Sequence, residues 1–441
     1  MNTSSSAGVL AALFALGLFW CGIGSASHQR AFMLGATTGL VAAILTTLIV
    51  FSSSMVHQPS VGDTPAPGAE GLRPGAVGAS IGFVVGASIA GALLASLGSV
   101  LVKGPAWLIH ARATWTARTT PKRMIIVLAG ALVPLIATGS LVTSTRSGLA
   151  IADWPRSDSA YMFFYPLSLM AQPNIYFEHT HRLFGMLIGI AAIFAVAYIW
   201  LGDASKKARI GVTVALVLIS IQGYIGGNRV EEKSQILAVV HGVLAQLIFA
   251  LVFTCIVWQT TLYRSSSTLH AHPRDRKIKL FGMGFLHASI LQLILGATFR
   301  HMKASGSTAA NHALWTHLGF SAIVVLFGVA AGAMLISRSD TEKDEFEPTA
   351  RRLGWFSIAV VSLQIVLGFM ALFAVMRTLG KPDENVIPNA EDVATMSQVP
   401  WSRALTTAAH QFNGALVLAA AAMACVWGRW LKRHTSSASQ T

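Results

Sequence analysis

The sequence predicts an all-α integral membrane protein: two pseudo-symmetric four-helix bundles, eight spans in all, preceded by about three extra N-terminal transmembrane helices. Three observations predict it. Only 11% of the 441 residues are charged and 54% are hydrophobic, with mean hydropathy +0.60, whereas a soluble domain carries roughly 25% charged residues. Apolar runs of about 20 residues, the length a helix needs to cross a bilayer, recur eleven times. The last eight runs repeat residue types at corresponding places, as membrane proteins built from internal repeats do.

In chain order the runs cover about 7–25, 31–52, 76–102, 124–143, 181–200, 210–227, 236–258, 280–298, 312–336, 354–376 and 407–428. No basic n-region precedes the first, so it is expected to stay as an anchor rather than be cleaved as a signal peptide. The first three are rich in Gly, Ala and Ser, which suits close helix packing. Between the second and third, the Pro/Gly-rich stretch Val56–Gly75 reads as an exposed outer loop. The basic linker Lys103–Arg123 ends this extension. The expected division is therefore 1–123, an N-terminal bundle 124–260, and a C-terminal bundle with tail 261–441. Inside the two bundles the third helices correspond: Ser220-x-Gln222 and Ser362-x-Gln364 are each followed within four residues by Gly. Each second helix has a His near its start, His181 and His317, and so does each fourth, His241 and His410.

A formal charge of +14 raises the question of a nucleic-acid partner, but its distribution answers it. Basic residues gather at Lys103–Arg123, Lys206–Arg209, Arg264–Lys279, Arg338–Arg352 and Arg429–Arg433. These loops share one side and outnumber the opposite side by about two to one, as the positive-inside rule requires. The C-terminus is expected in the cytoplasm and the N-terminus outside, with no nucleic-acid role. Cys21, Cys255 and Cys425 all lie in apolar runs with no metal-ligand spacing, so a zinc site or disulfide framework is not expected.

Chemistry concentrates at Glu178-His179-Thr180-His181-Arg182, at the mouth of the fifth run. Ionisable groups in hydrocarbon are costly and are most often functional. Glu178, His181 and Arg182 stand at i, i+3 and i+4, on one helix face, while His179 points elsewhere. Taken alone, the cluster reads equally well as the interfacial end of a helix. The four repeated histidines weigh against that. The second and fourth helices of a bundle run the same way, which puts His181 level with His241 and His317 level with His410, near the outer face. Two imidazoles facing inward from such helices suit the axial positions of a haem, whereas zinc would want three or four clustered ligands. His287 and His312 read as structural, and His110, His270, His272, His301 and His434 as loop or tail residues. The bundles differ in one respect: three residues before His317 comes Leu314, and Leu318 follows it, so the acid and the Arg are absent. A reaction site is expected in the first bundle and a redox haem in the second.

From about Met124 to Leu431 the chain resembles the haem A synthase family. The motifs that carry the resemblance are Glu178-x-x-His181-Arg182, Thr143-x-Thr145-x-Ser147-Gly148-Leu149-Ala150 leading to Asp153-Trp154-Pro155, His241-Gly242, the Gln222 and Gln364 helices, and His317 with His410. The resemblance implies an oxidoreductase for cytochrome oxidase biogenesis. It implies haem O bound between His181 and His241 with Glu178 essential nearby, and the cofactor haem b between His317 and His410. The implied reaction oxidises the porphyrin C8 methyl of haem O to a formyl group with oxygen from water. Arg182 suits a haem propionate, a planar bidentate match, or snorkels to the interface. Trp154 serves either the outer loop over the first haem or an interfacial anchor. Two departures stand out: Gly148–Glu178 contains no Cys pair, and the three-helix extension lies outside the family pattern. A membrane electron acceptor is required, a homo-oligomer is compatible with the sequence, and so apolar a substrate favours docking by a haem O synthase. The competing expectations are a di-haem b membrane cytochrome that only moves electrons, which needs the His pairs but not Glu178, and a haem-handling assembly protein without chemistry.

Overall fold

Where apolar runs are long, backbone groups in lipid satisfy one another as helix, and the last eight runs do so, the first of them with Pro134 inside it. In a computed structural model the described residues are 120–151, 153–157, 162, 165, 173–265, 269, 271–303, 308–342, 344–376 and 401–436, with the backbone of 55–56 and 71–72. The three N-terminal spans lie outside them. Within the expected outer loop 56–75, the described backbone pairs Met55 with Leu72 and Val56 with Gly71, antiparallel.

The eight helices are α1 (Thr120–Ser144), α2 (Pro173–Leu201), α3 (Lys206–Glu231), α4 (Gln235–Trp258), α5 (Asp275–Met302), α6 (Thr308–Thr341), α7 (Glu347–Met376) and α8 (Trp401–Ser436). All eight are long and apolar enough to cross a membrane, so this is a multi-pass membrane protein. They fall within one compact unit, Thr116–Ser159 with Gln172–Thr441. Ser205 and Ser234 cap α3 and α4, their hydroxyls accepting from Ala208 N and Leu237 N, which satisfies first-turn donors. The turn between α3 and α4 is closed by Lys233 at φ 48°, and α1 ends at Arg146 with φ 61°, the left-handed residue common at helix ends. One boundary differs in a way that matters. α2 begins at Pro173 rather than near 181, so Glu178–Arg182 sits inside the helix, not at its mouth.

Neighbours in sequence are neighbours in space. α1 packs on α2, α2 on α3, α3 on α4 and α4 back on α1; α5 to α8 close a second ring in the same order. The rings meet through α4 against α8, α8 against α1, and α4 against α5. Exchanging the rings maps that set of contacts onto itself, which is the pseudo-two-fold relation the repeats predict. α8 is the central element: 72% of its span is buried, against 17–39% for the other seven. Its Ala415, Ala419, Ala420, Ala421 and Ala424 allow the close approach that membrane packing depends on. Elsewhere large apolar side chains such as Phe194, Leu201, Ile236 and Phe369 face outward, as a lipid-exposed surface does. Where the start of α5 meets the last turn of α6, the fully buried Arg338 pairs with Asp275 and with Asp344 of the following turn, each at 2.8 Å. A buried charge needs such partners.

Candidate functional site

Each helical hairpin brings one histidine against one glycine of the preceding helix. A Cβ placed on Gly139 would lie 2.8 Å from His181 Cε1, on Gly226 2.8 Å from His241 Cε1, on Gly296 2.9 Å from His317 Cε1, and on Gly368 3.4 Å from His410 Cε1. The glycines thus cradle the rings. Four residues before three of them stands a glutamine whose amide donates to the histidine's own carbonyl: Gln222 to His241 O at 2.8 Å, Gln292 to His317 O at 2.9 Å, and Gln364 to His410 O at 3.2 Å. Asn413 donates in turn to Gln364 Oε1 at 2.7 Å. In α1 the equivalent position is Leu135, and His181 Nδ1 instead approaches Thr138 Oγ1 at 3.4 Å. The repeating unit is therefore a hairpin used four times, finer than the four-helix duplication visible in the sequence.

These cradles set two histidine pairs. The rings of His181 and His241 are 6.5 Å apart, centre to centre, at 78° between planes; those of His317 and His410 are 6.3 Å apart, also at 78°. Two imidazoles on opposite sides of one metal, with bonds of about 2.0–2.1 Å and roughly 1.1 Å from nitrogen to ring centre, stand about 6.3 Å apart. Both pairs fit that separation. Among the described residues no cluster of three or more His, Cys, Asp or Glu can hold a metal ion by itself. Beside the second pair lies a cavity of about 510 Å³, lined by His317, His410, Gly296, Gly368, Arg300 and His301 among others. That volume is in the range of sites for compact organic ligands, and its walls are mostly apolar side chains.

The acid belongs to the first pair alone. Glu178 is 3% exposed. Its Oε1 accepts from Arg182 at 2.7 Å and its Oε2 from Ile151 N at 3.1 Å. Arg182 also donates to Ile151 O at 2.8 Å, Asp153 O at 2.7 Å and Arg156 O at 3.1 Å. Both Nη groups are thereby committed to the 151–156 segment, which Glu178 and Arg182 together hold over α2. Ser147 Oγ donates to Asn174 Oδ1 at 3.1 Å and pins the same loop further out. Trp154 lies against Gly227, where a Cβ would run into its ring, so it is packed on α3. At the matching place in the second bundle, Leu314 is buried and Leu318 lines the cavity.

Two arginines and His301, the last expected in a loop, have places within helices. Arg229 and Arg300 lie in the last turns of α3 and α5, and His301 follows Arg300 within α5. Arg229 donates to Gly148 O at 2.8 Å and lies within electrostatic range of Glu178, Arg182, His181 and His241. His301 lines the second cavity and approaches α4, its Nε2 3.5 Å from where a Gly242 Cβ would sit, next to His241. The signal that marks the two arginines is spacing: Arg229 is three residues past Gly226 and Arg300 four past Gly296. His287 faces outward and bonds only to Met283 O of its own helix, at 2.7 Å.

Comparison with known proteins bears on the first bundle most directly. Residues 122–313 match the family model described as COX15-CtaA, cytochrome oxidase assembly protein. The match includes Glu178, His181, Arg182 and His241 and ends before His317. A "Heme A synthase" of Beijerinckia indica subsp. indica is 28% identical over 203 residues, 38% of this chain and 55% of the relative. One from Erythrobacter litoralis is 28% identical over 214 residues, 41% of this chain and 63% of the relative. A "Protoheme IX farnesyltransferase" of Halobacterium salinarum is 24% identical over 252 residues, 53% of each. The chain thus spans between half and two thirds of the length of these curated relatives.

Proposed function

Through residues 122–313 the chain belongs to the haem A synthase family, and from that premise we propose that it oxidises the C8 methyl of haem O to a formyl group with oxygen from water. Haem O is the substrate of the first bundle, 124–260, between His181 and His241, and haem b is the resident cofactor of the second, 261–441, between His317 and His410. The observation that carries the reading is the pairing of two equally spaced histidine pairs with a single buried carboxylate, Glu178, beside only one of them. Bound between His317 and His410, haem b supplies one-electron redox chemistry.

The residues of the first bundle have separable tasks. His181 and His241, cradled by Gly139 and Gly226, would hold the substrate's iron. Conversion of a methyl to a formyl group consumes one water and releases four electrons and four protons. Removing electrons from that carbon makes it cationic, and a carboxylate is the group that stabilises such charge or takes a proton from attacking water. Glu178 is placed for this with one oxygen on Arg182 and one on Ile151 N, so its orientation is set before substrate arrives. The 151–156 segment, fastened by Arg182, limits water over the site. A membrane electron acceptor completes the balance, the sites lie toward the outer face, and a haem O synthase is the supplying partner.

Co-expression with a haem O supply, followed by chromatography and mass analysis of extracted haems, tests this. Haem A is expected from the native chain, and at least ~100-fold less from Glu178→Ala, the loss typical of one electrostatic group at a reacting centre, with b-type haem retained. A well-folded native chain yielding only haem b and haem O would sink the enzyme. It would favour the di-haem electron carrier, for which the equality of the two histidine pairs speaks.

A further inference from the structure

Arg182, the cation the sequence offers for a haem propionate, is engaged through both Nη groups by Glu178 and three backbone carbonyls. Arg229 is not. A guanidinium has five N–H donors, and the hydrogen bond Arg229 makes is one, to Gly148 O. Glu178 lies within electrostatic range but is paired with Arg182, and the arginines whose charge acts on His181 are Arg229 and Arg182, on His241 Arg229. In a membrane-spanning segment such a charge is costly unless an anion meets it. Gly148 is shaped to this arrangement, since a Cβ there would run into the Arg229 guanidinium.

The second bundle also has an arginine near its histidines, on α5, the counterpart of α1, and not on α7, the counterpart of α3. Arg300 donates to Thr143 O at 2.6 Å and lines the cavity beside His317 and His410. The charged groups in its electrostatic range are Arg146 and Arg403, so it too lacks a carboxylate partner among the described residues. Arg229 and Arg300 follow their histidine-facing glycines by three and four residues, about 4.5–6 Å further along the helix axis. Each is therefore about one turn beyond the ring of its site, on the same side in both bundles.

We propose that Arg229 and Arg300 are the carboxylate anchors of the two sites, each taking a propionate of the porphyrin bound beside it. The assignment rests on the haem reading above and adds to it the group that orients each macrocycle. A planar, two-oxygen acceptor is the match for a guanidinium fork, and porphyrin propionates are the only such groups on the ligand. With iron held by two imidazoles and the propionate edge held by an arginine, rotation of the macrocycle about the ligand axis would be fixed, which in the first bundle limits the porphyrin methyls that can face Glu178.

The test uses the full chain, purified in detergent and freed of haem, titrated with iron protoporphyrin IX and with its dimethyl ester while the Soret band is followed. His317→Ala/His410→Ala isolates the first site and His181→Ala/His241→Ala the second. At each site the ester is expected to bind ~10- to 100-fold more weakly than the acid, the value of a charge-assisted pair. Arg229→Gln should weaken the acid by that factor at the first site only and leave the ester unchanged; Arg300→Gln should do so at the second site only. Equal binding of acid and ester before mutation overturns the proposal. So does a loss in Arg229→Gln that is the same for both, because that marks a role in holding Gly148 and its loop. Should the Gln variants misfold, Arg229→Lys and Arg300→Lys replace them, with a smaller loss for the acid supporting the anchor and equal losses opposing it. If neither porphyrin binds the folded native chain, the haem reading itself falls, an outcome distinct from equal binding of the two.

Discussion

At the residue scale the site depends on what is missing as much as on what is present. A histidine on one transmembrane helix can reach the bundle interior only if the facing helix leaves room for an imidazole, and in each hairpin that room is a missing Cβ. The separations differ enough to discriminate. At Gly296 a Cβ would lie 2.9 Å from His317, closer than real carbon contacts allow, while at Gly368 it would lie 3.4 Å from His410, an ordinary contact. Overpacking a filled site costs about 1–3 kcal/mol. Gly296→Ala is therefore expected to displace His317 and to lower b-type haem content of the second site at least ~fivefold, and Gly368→Ala to leave it nearly unchanged. Reduced-minus-oxidised absorbance per mole of protein, with the first site removed by His181→Ala/His241→Ala, measures both. A loss in Gly368→Ala as large as in Gly296→Ala would contradict the cradle geometry.

At the element scale α8 decides how the bundles hold together. It closes the second ring against α5 and α7 while also packing on α4 and α1 of the first. Its alanines are the physical reason, since small side chains let several helices approach one axis. Ala420 is fully buried in the cluster formed with Phe285, Val324 and Val360. Ala420→Leu should destabilise by about 1–3 kcal/mol through overpacking. Ile193→Ala, at a position 57% exposed on the outer face of α2, should change stability by less than ~0.5 kcal/mol. Thermal unfolding in detergent compares the two, and equal effects would mean that α8 is not the core. The glutamine steps act within the same elements. Three hairpins tie a histidine's backbone to the preceding helix by an amide, whereas α1 has Leu135 at that position. The ligand His181 of the proposed substrate site is accordingly the one without this tether.

At the scale of the whole molecule, charge sets the expected orientation. The clusters Lys206–Arg209, Arg264–Lys279 and Arg429–Arg433 share one side of the eight-helix unit, and basic loops stay in the cytoplasm. A C-terminal fusion to a fluorescent protein is expected to glow, and a C-terminal alkaline phosphatase fusion to be inactive; the reverse pattern would invert the orientation and place both histidine pairs toward the cytoplasmic face. The two-ring architecture also brings the sites near one another. His301, at the end of α5, lines the second cavity while lying beside Gly242, the neighbour of His241. The chain's two histidine pairs are thus joined through the α4–α5 contact.

Much of this was legible from sequence, because lipid makes the rules strict. Backbone groups in hydrocarbon must pair within a helix, so the eight described spans, their order and their two halves follow from run length and repeated residues. The four histidines followed from the same repetition, and Glu178 stood out because its counterpart is Leu314. Other features depended on distances between residues far apart in the chain. That Arg182 is consumed by the carbonyls of Ile151, Asp153 and Arg156 depends on how a connecting loop folds back on α2. That Arg229 and Arg300 lie within helices depends on α3 and α5 continuing past their apolar runs. Periodicity marks which residues share a helix face, but only packing determines which faces meet. Hydrophobic patterning therefore determined the helices and their duplication, and the tertiary structure alone decided that Arg182 is held by a connecting segment while Arg229 and Arg300 each make one backbone hydrogen bond.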